Sequence, residues 1–510
     1  MTTATLISGS RNLPPAALDR QIERAAAAML SSGVKPGDAV ALLLRNDFAF
    51  FSASLAARWI GAFAMPINWH ATPDEIGYIL DDSGAKLLIA HDDLAAPLAG
   101  QLAGRTLVAV PTPPEITAAY GLTPSAPLAE ATAWDAWLPD DSTPAPPRGP
   151  GGASSLIYTS GTTGKPKGVR RRPFQPEHLA AQAEVAVAGY GLDPSQPLRV
   201  LMTGPMYHSA PNAYGLVSTE LAERIVLEPR FDAEELLALV QEHRITHMHM
   251  VPTMFVRLLK LPPDVRAKYD ISSLKFVVHG AAPCPMEIKR QMIDWWGPVI
   301  HEYYGSTETG LVTGHGSAEA LAKPGTVGRA LPGVTMRAIG EDGKDVEPGA
   351  IGDIYVHSRS VPDFSYHGRD DEKSEIERAG FVTVGDIGWI DEDGFLFLCD
   401  RRRDMIISGG VNIYPAEVEA ALLTIGGVRD CAVFGIPDAE FGEAVCAYVE
   451  PDDEASLDAA GIRTRLADTL SRYKIPKVVE FAASLPREDS GKIFKRRLRE
   501  AYWGQSGRAI

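Results

Sequence analysis

Residues 158–169 read YTSGTTGKPKGV and directly follow a short apolar stretch that predicts a β-strand. The segment combines glycines, hydroxyl residues and lysines. Glycines let backbone N–H groups approach an anion closely, while hydroxyls add donors and lysines add positive charge. The segment is not a Walker P-loop, because only two residues separate Gly161 from Gly164 and Pro166 follows Lys165. The pattern therefore predicts a loop that binds a polyphosphate.

Further motifs follow this loop toward the C-terminus. They read HEYYGSTE at residues 301–308, VGDIG at 384–388, CDRRRDMIISGG at 399–410 and PREDSGKIFKRRLR at 486–499. Together with the glycine-rich loop, this ordered set resembles the signature motifs of the adenylate-forming superfamily. That superfamily includes acyl-CoA synthetases, luciferases and peptide-synthetase adenylation domains. The resemblance covers nearly the whole chain and implies an enzyme that activates a carboxylic acid with ATP.

The resemblance implies an ATP site built from several of these segments. It assigns adenine stacking to Tyr304, α-phosphate binding to Thr307 and Mg²⁺ binding to Glu308, and a ring face, a hydroxyl and a carboxylate suit those partners. It assigns ribose recognition to Asp386 and Arg401, because an acceptor-only carboxylate and a forked donor suit a diol. The implied ATP- or AMP-binding residues are Thr159, Ser160, Gly161, Thr162, Thr163, Gly164, Lys165, Lys167, Gly280, Ala281, Ala282, Tyr303, Tyr304, Gly305, Asp386 and Arg401.

One position of the ribose motif departs from the family pattern. Val384 stands where the family usually has threonine before the Gly-Asp pair. We expect this change to loosen the ribose site without abolishing it.

The resemblance also implies the catalytic residues, which are Lys492, Thr307, Glu308 and His208. Lys492 matches the mobile lysine of the family. Its ammonium would stabilise the negative charge that builds when a carboxylate attacks the α-phosphate. His208 stands where the family often has an aromatic residue or histidine that gates the acyl pocket. The loop at 280–285 matches one that lies between adenine and the acyl carboxylate.

Two domains are implied by the same resemblance. Residues 1–402 would form a large adenylating domain with the ATP and acyl sites, and residues 403–510 a small domain carrying the catalytic lysine. Arg403 matches the hinge position, about which the small domain rotates between an adenylating and a thioester-forming pose. Gly409 and Gly410 match the loop that lines the coenzyme A tunnel, where any side chain would block the thiol.

The pattern of apolar stretches predicts a mixed α/β and α+β fold. Helix-like and strand-like stretches alternate from residue 18 to about 110 and again from 155 to about 300, which is typical of βαβ units in two doubly wound sheets. After about Lys323, short strands separated by Gly and Asp turns predict a β-barrel-like subdomain. The last residues, from about Asp404, mix short helices and strands and predict a small mobile α+β domain.

Composition excludes several classes of protein. The chain has 510 residues with a hydrophobic fraction of 45%, which rules out a disordered or miniature protein. Its formal charge of -16 disfavours nucleic acid and anionic membranes as partners except at local basic sites. We find no signal peptide and no apolar stretch that predicts a membrane span. The four cysteines form no CxxC pair, so we expect a reduced, cytoplasmic setting.

Three consecutive arginines follow the glycine-rich loop, at positions where relatives usually carry small or hydroxyl residues. Arg170, Arg171 and Arg172 could bind phosphates of ATP or coenzyme A. We expect instead that they form a patch of exposed charge.

An ATP-dependent acyl-CoA ligase is the leading functional hypothesis. It would convert a fatty, alicyclic or aromatic acid to acyl-AMP, and then to acyl-CoA, with ATP, Mg²⁺ and coenzyme A as cofactors or co-substrates. The alternatives are an adenylation enzyme that loads an acyl carrier protein, a luciferase-like oxidation of the adenylate, and a non-catalytic nucleotide-binding protein. The predicted partners are therefore small molecules, and a homo-oligomer is possible.

Overall fold

The computed structural model describes residues 2–102, 104–123, 128–149, 155–159, 166–402, 404–409, 411–452, 457–487 and 493–503. Within these ranges the strands form four sheets. We call them the N-terminal, central, hairpin and C-terminal sheets.

The N-terminal sheet is parallel throughout its described strands. The strands, in spatial order, are Phe63–Pro66, Ala39–Leu43, Leu87–His91, Thr106–Val110 and Thr132–Ala133. The helices of this region are Pro15–Ser31, Phe48–Trp59, Pro73–Ser83, Asp92–Ala95, Pro114–Tyr120 and Trp134–Trp137, with a 3₁₀ helix at Ala96–Gln101. Every residue of Ala39–Leu43 is buried, as expected for a strand covered on both faces. The predicted alternation of helices and strands is confirmed here.

The first half of the central sheet is parallel except at its edge, where Arg11–Leu13 pairs antiparallel with Thr5–Ser8. In spatial order its strands are Arg11–Leu13, Thr5–Ser8, Arg224–Leu227, Arg199–Met202, His247–Met250, Phe276–His279 and Ile300–Ser306. The helices of this region are Pro176–Tyr190, Ser209–Leu221, Ala233–His243, Pro252–Leu259, Pro263–Ala267 and Met286–Trp296. The sequence reading did not predict that the strand Thr5–Ser8 pairs in parallel with Arg224–Leu227. The N-terminus therefore closes the edge of a sheet formed mainly by residues far along the chain.

The antiparallel half continues the same sheet without a break. Its strands are Gly310–Gly316, Thr326–Ala330, Phe395–Arg401, Asp386–Ile390, Gly352–Ser358, Phe381–Val382 and Glu377–Arg378, with Val334–Ile339 paired to Gly352–Ser358. The helices Ser317–Ala322 and Asp370–Ile376 belong to this region. We expected the change to antiparallel strands after about Lys323, but it occurs at Gly310–Gly316, which returns along Ile300–Ser306 as a hairpin.

The hairpin sheet is small and lies in the region of the glycine-rich loop. Its strands, in spatial order, are Phe364–Tyr366, Lys167–Arg171 and Ile157–Thr159. Both pairings are antiparallel. A small apolar cluster of Val169, Phe364 and Tyr366 packs in this sheet.

The C-terminal sheet has its own apolar core, centred on Ile406, Val433 and Ala447. Its strands are Val411–Ile413, Ile406–Ser408, Gly442–Pro451 and Val428–Asp438, with Val478–Phe481 parallel to Gly442–Pro451. Its helices are Pro415–Leu423, Ala459–Leu466 and Lys495–Trp503, with a 3₁₀ helix at Arg472–Lys474. A core of its own is what a separate α+β domain requires.

None of the described helices is long and apolar enough to cross a membrane. The four cysteines are free: Cys431 and Cys446 are buried, and Cys284 and Cys399 are partly buried.

Candidate active site

The candidate adenine and ribose residues contact each other directly. Tyr304 lies on the strand Ile300–Ser306, and its hydroxyl donates a 2.5 Å hydrogen bond to Oδ2 of Asp386. Asp386 is buried at the start of the strand Asp386–Ile390. The backbone of Arg401 pairs with Asp386 across the sheet, and the Arg401 side chain lies outside the described residues. The structure thus joins residues that the sequence places in separate motifs.

The turn after Tyr304 carries the candidate phosphate residues. The strands before and after it approach so closely that a Cβ on Gly305 would lie 2.2 Å from the carbonyl oxygen of Gly310. Only glycine fits there, because any other residue would clash with backbone. Within the turn, the hydroxyl of Thr307 donates a 3.0 Å hydrogen bond to the hydroxyl of Ser209, at the start of the helix Ser209–Leu221.

Glu308, the candidate Mg²⁺ ligand, contacts the hairpin sheet. The hydroxyl of Tyr366 donates a 3.1 Å hydrogen bond to Oε1 of Glu308. Burial, the charge of Glu308 and this hydrogen bond raise the pKa of Tyr366, so its hydroxyl remains a donor at neutral pH. A carboxylate is a hard oxygen ligand of the kind that Mg²⁺ prefers, so the chemistry of Glu308 fits the expected role.

The glycine-rich loop connects two strands of the hairpin sheet. Thr159 pairs with Lys167 at the end of this hairpin. The ammonium of Lys167 forms an ion pair with Glu372 and lies 5.5 Å from the ring centroid of Tyr366. The remaining candidates of the loop lie outside the described residues, namely Ser160, Gly161, Thr162, Thr163, Gly164 and Lys165. The structure therefore places the Lys167 end of the loop beside Tyr366, which contacts Glu308.

The loop that begins at Gly280 follows the strand Phe276–His279 and packs on Tyr303. A Cβ on Gly280 would lie 2.6 Å from the Tyr303 ring and 2.9 Å from its carbonyl oxygen. The next residue, Ala281, adopts a left-handed φ of 67°, which is uncommon for a residue with a Cβ. Such strain often accompanies binding sites. Ala281 is exposed, and Ala282 is partly exposed.

Tyr303 and Tyr304 face opposite sides of their strand, because side chains alternate along a strand. Tyr303 is buried, and its hydroxyl lies 2.9 Å from Nε2 of His249. The rings of Tyr190 and Tyr214 pack in the same cluster. Of the two candidate tyrosines, Tyr304 is therefore the one that contacts Asp386, whereas Tyr303 lies behind Gly280.

His208 precedes the helix Ser209–Leu221, and its ring centroid lies 4.3 Å from that of Tyr207. Burial, with a smaller contribution from His208, lowers the pKa of His249 to about 4. His208 is thus within electrostatic reach of the buried tyrosine cluster.

Asn46 holds the segment before His208, and sequence reasoning missed it. Its side chain donates to the carbonyl of Gly204 and accepts from the amide of Met206, both at 2.9 Å. It follows the N-terminal strand Ala39–Leu43, so it links that sheet to the site. The sequence feature that could have indicated Asn46 is the polar segment RND, residues 45–47, which follows an apolar stretch typical of a buried strand.

A buried charged cluster lies beside Tyr303, and sequence reasoning missed it as well. Glu302 forms an ion pair with Lys289 and a 2.9 Å contact with Nε2 of His315. Burial alone would raise the pKa of Glu302, but His279, Lys289 and His315 lower it to about 2. The cluster connects the helix Met286–Trp296 to the strand Ile300–Ser306.

Gly409, the candidate for the coenzyme A tunnel, lies in the C-terminal part. Its φ is 58°, and a Cβ there would lie 3.0 Å from the ring of Phe441. Gly410, Arg403 and Lys492 lie outside the described residues. On the last helix, Lys495 pairs with Glu419 at 2.8 Å and Arg499 with Asp404 at 3.0 Å. Both cations therefore form ion pairs with carboxylates of the C-terminal part.

The fold and the site together define a nucleotide-binding enzyme with a large and a small part. Residues 4–362 match the family model of the AMP-binding enzymes, and residues 417–492 match that of the AMP-binding enzyme C-terminal domain. The chain belongs to the AMP-binding enzyme family. This membership confirms the expected superfamily.

Relatives in this family carry several names. The chain is 34% identical to a feruloyl-CoA synthase of Amycolatopsis sp, over 97% of this chain and 95% of that protein. It is 33% identical to an indoleacetate–CoA ligase of Aromatoleum aromaticum, over 96% and 93%. It is 31% identical to a fatty acid–acyl-carrier-protein ligase of Streptomyces coeruleorubidus, over 100% and 95%.

Solved structures support the same conclusion. An amide bond synthetase from Marinactinospora thermotolerans superposes with a TM-score of 0.85 at 26% identity, covering 98% of this chain and 97% of that one. The expected fold class is confirmed, and so is the expected enzyme class, an AMP-forming acid–thiol ligase.

Proposed function

We propose that this protein is an ATP-dependent acyl-CoA ligase that acts on a carboxylic acid with a bulky apolar body, and on aromatic acids in particular. In the first step the acid's carboxylate attacks the α-phosphate of ATP, which forms acyl-AMP and releases pyrophosphate. In the second step the thiolate of coenzyme A attacks the acyl carbon, which forms the thioester and releases AMP. One observation carries the proposal: the strand and turn 300–308 hold the adenine, α-phosphate and Mg²⁺ candidates in succession, and Tyr304 bonds directly to the ribose candidate Asp386.

The proposed roles follow the chemistry of each side chain. The ring of Tyr304 would stack on adenine while its hydroxyl orients Asp386 toward the ribose diol. Thr307 would donate to the α-phosphate, and the loop between Thr159 and Lys167 would surround the β- and γ-phosphates. Glu308 would hold Mg²⁺, which supplies charge neutralisation to the phosphates when bound.

The remaining proposed roles concern the catalytic lysine, the hinge and the coenzyme A tunnel. Lys492 would stabilise the developing charge between carboxylate and phosphate. Rotation about Arg403, at the boundary of 1–402 and 403–510, would then bring Gly409 and Gly410 to the acyl-AMP. A Cβ added at Gly409 would lie only 3.0 Å from the ring of Phe441, which supports a requirement for glycine at this position.

The proposed substrate class rests on the names of the relatives. A feruloyl-CoA synthase and an indoleacetate–CoA ligase are named for aromatic acids, and each matches nearly the whole chain.

Loading of an acyl carrier protein is the second candidate function. The relative from Streptomyces coeruleorubidus, which is named for that reaction, favours it. Both functions share the adenylation step and differ only in the thiol that accepts the acyl group. A cytoplasmic location and self-association of the chain remain predictions.

Pyrophosphate release with ATP and Mg²⁺ tests the proposal across short, medium, long-chain, aromatic and steroid-like acids. Each acid is assayed alone, with coenzyme A, and with a phosphopantetheinylated carrier protein, and the product is identified by mass. We expect acid-dependent release that is fastest with aromatic acids and yields acyl-CoA. Acylation of the carrier alone would establish the second function, and release that does not require an acid would refute both.

A further inference from the structure

The three consecutive arginines after the glycine-rich loop have three different environments. Arg170 donates to the carbonyl of Gly37 at 3.0 Å and lies 4.8 Å from the ring centroid of Phe63. The side chain of Arg172 is 78% exposed, with a carboxylate oxygen of Asp363 at 3.5 Å. The expected patch of exposed charge is therefore wrong for Arg170 and Arg171 and correct for Arg172. Two separate causes apply: Arg171 faces the opposite side of the strand from Arg170, because side chains alternate, and Arg170 packs on Gly37 and Phe63 instead of extending into solvent.

Arg171 reaches the turn that carries the phosphate candidates. Its Nη2 donates to the carbonyl oxygens of Thr307 at 2.6 Å and Glu308 at 2.9 Å. Its Nη1 donates to the carbonyl oxygen of Pro362 at 3.0 Å. Burial lowers the pKa of Arg171 to about 10, which leaves the guanidinium charged at neutral pH. A rigid planar fork is the side chain best suited to hold several acceptors at fixed angles.

The contacts of Arg171 connect the two halves of the candidate phosphate site. The strand Lys167–Arg171 directly follows the glycine-rich loop in the chain, and the turn bearing Thr307 and Glu308 directly follows the strand Ile300–Ser306. Tyr366, on the neighbouring strand of the hairpin sheet, bonds to the side chain of Glu308. The hairpin sheet therefore holds the backbone of Glu308 through Arg171 and its carboxylate through Tyr366.

We infer that Arg171 is a positioning residue for the adenylation step, which it serves by holding the Thr307–Glu308 backbone at a fixed distance from the strand Lys167–Arg171, which follows the glycine-rich loop. The inference rests on the proposed function, in which both segments contact the same nucleotide. A bound triphosphate must reach from one segment to the other, so a small displacement between them weakens every phosphate contact. Displacements of about 1 Å can lower a rate by about 10²-fold. The thioester-forming step, which involves no β- or γ-phosphate, does not depend on this distance.

The variants Arg171→Met and Arg171→Lys test the inference, with Arg172→Met as the matched control. Three quantities are measured for each: the affinity for MgATP by calorimetry without acid, the single-turnover rate of adenylate formation, and the rate of thioester formation from preformed acyl-AMP and coenzyme A. For Arg171→Met we expect MgATP affinity and adenylation to fall by about 10- to 100-fold, with thioester formation nearly unchanged. Lysine should restore part of the loss, because it keeps the charge without the fork. Arg172→Met should resemble the unmodified protein.

Two results would overturn the inference. The first is that Arg171→Met and Arg172→Met have the same affinity for MgATP and the same rate of adenylate formation. The other is a proportional loss in both half-reactions together with a lower unfolding midpoint, which would indicate a purely structural role. If Arg171→Met does not fold, Arg171→Lys provides the same comparison, and retention of full MgATP affinity and adenylation rate in it would refute the inference.

Glu308→Gln separates this inference from the proposed function. Unchanged adenylation in Glu308→Gln would refute the proposed site itself. Impaired adenylation in Glu308→Gln with normal Arg171→Met would refute only the role of Arg171.

Discussion

The hydroxyl of Tyr304 donates a 2.5 Å hydrogen bond to the buried carboxylate of Asp386, although the two residues belong to separate motifs. The bond crosses from the strand Ile300–Ser306 to the strand Asp386–Ile390, which are not neighbours in the central sheet. It therefore depends on the curvature of the sheet rather than on strand pairing. The same bond brings the proposed adenine and ribose contacts to one place.

Removal of this bond should weaken nucleotide binding. Tyr304→Phe keeps the ring for stacking but removes this hydrogen bond to Asp386, and a hydrogen bond to a charged group contributes about 1.5–3 kcal/mol. We expect ATP affinity, measured by calorimetry, to fall by about 10-fold or more. Tyr269→Phe is the control, since Tyr269 donates a similar 2.7 Å bond to Glu234 far from the site. Equal ATP affinity in the two variants would contradict the role of Tyr304.

Lys492→Ala should slow adenylate formation while leaving ATP binding largely intact. Removal of one group that stabilises developing charge typically lowers a rate by about 10²–10³-fold. The measurement is pyrophosphate release with saturating acid and ATP, alongside thioester formation from preformed acyl-AMP. Arg497→Met removes an exposed cation of the neighbouring helix and serves as the control. Near-normal pyrophosphate release by Lys492→Ala would rule out the catalytic assignment.

Gly409→Leu should impair thioester formation more than adenylation, because only the second step requires the proposed tunnel. A leucine at this position would meet the ring of Phe441 and would also disfavour the left-handed backbone. Gly349→Leu controls for the backbone effect, since Gly349 has a φ of 84° with no atom within 4 Å of an added Cβ. Equal losses in both half-reactions of Gly409→Leu would exclude a role specific to the acceptor thiol.

His247 should make folding stability depend on pH. Burial lowers its pKa to about 4, whereas an unfolded histidine titrates near 6.5. Between these values the unfolded chain binds the extra proton, so His247 lowers the free energy of unfolding as the pH falls from about 6.5 to about 4. Above pH 6.5 both states are neutral and the effect vanishes.

Denaturant unfolding of His247→Leu and the unmodified protein between pH 4 and 8 measures this contribution. The variant should show a slope shallower by about 1.4 kcal/mol per pH unit within the window. Parallel curves across the whole range would show that His247 is protonated equally in both states.

The resemblance of the ordered motifs to those of the adenylate-forming superfamily predicted the family and the enzyme class, and the pattern of apolar stretches predicted the fold class. The alternation of apolar stretches likewise placed most strands and helices of residues 15–300. The N-terminal strand Thr5–Ser8 was missed, since four residues carry little periodicity and its partner Arg224–Leu227 is remote in sequence. The environments of Arg170 and Arg171 were predicted wrongly for a related reason, because three consecutive arginines give no sign of which side chains pack against the protein.

The sequence by itself determined which residue types stand at the ends of which strands, and hence the kind of ligand and reaction. Only the tertiary structure decided that Tyr304 rather than Tyr303 contacts Asp386, that Asn46 holds the segment before His208, and that Arg171 binds the backbone at Thr307 and Glu308. Local preferences act over a few residues, so they specify elements and turns. Contacts between distant segments depend on strand order, register and sheet curvature, which arise only when the whole chain packs.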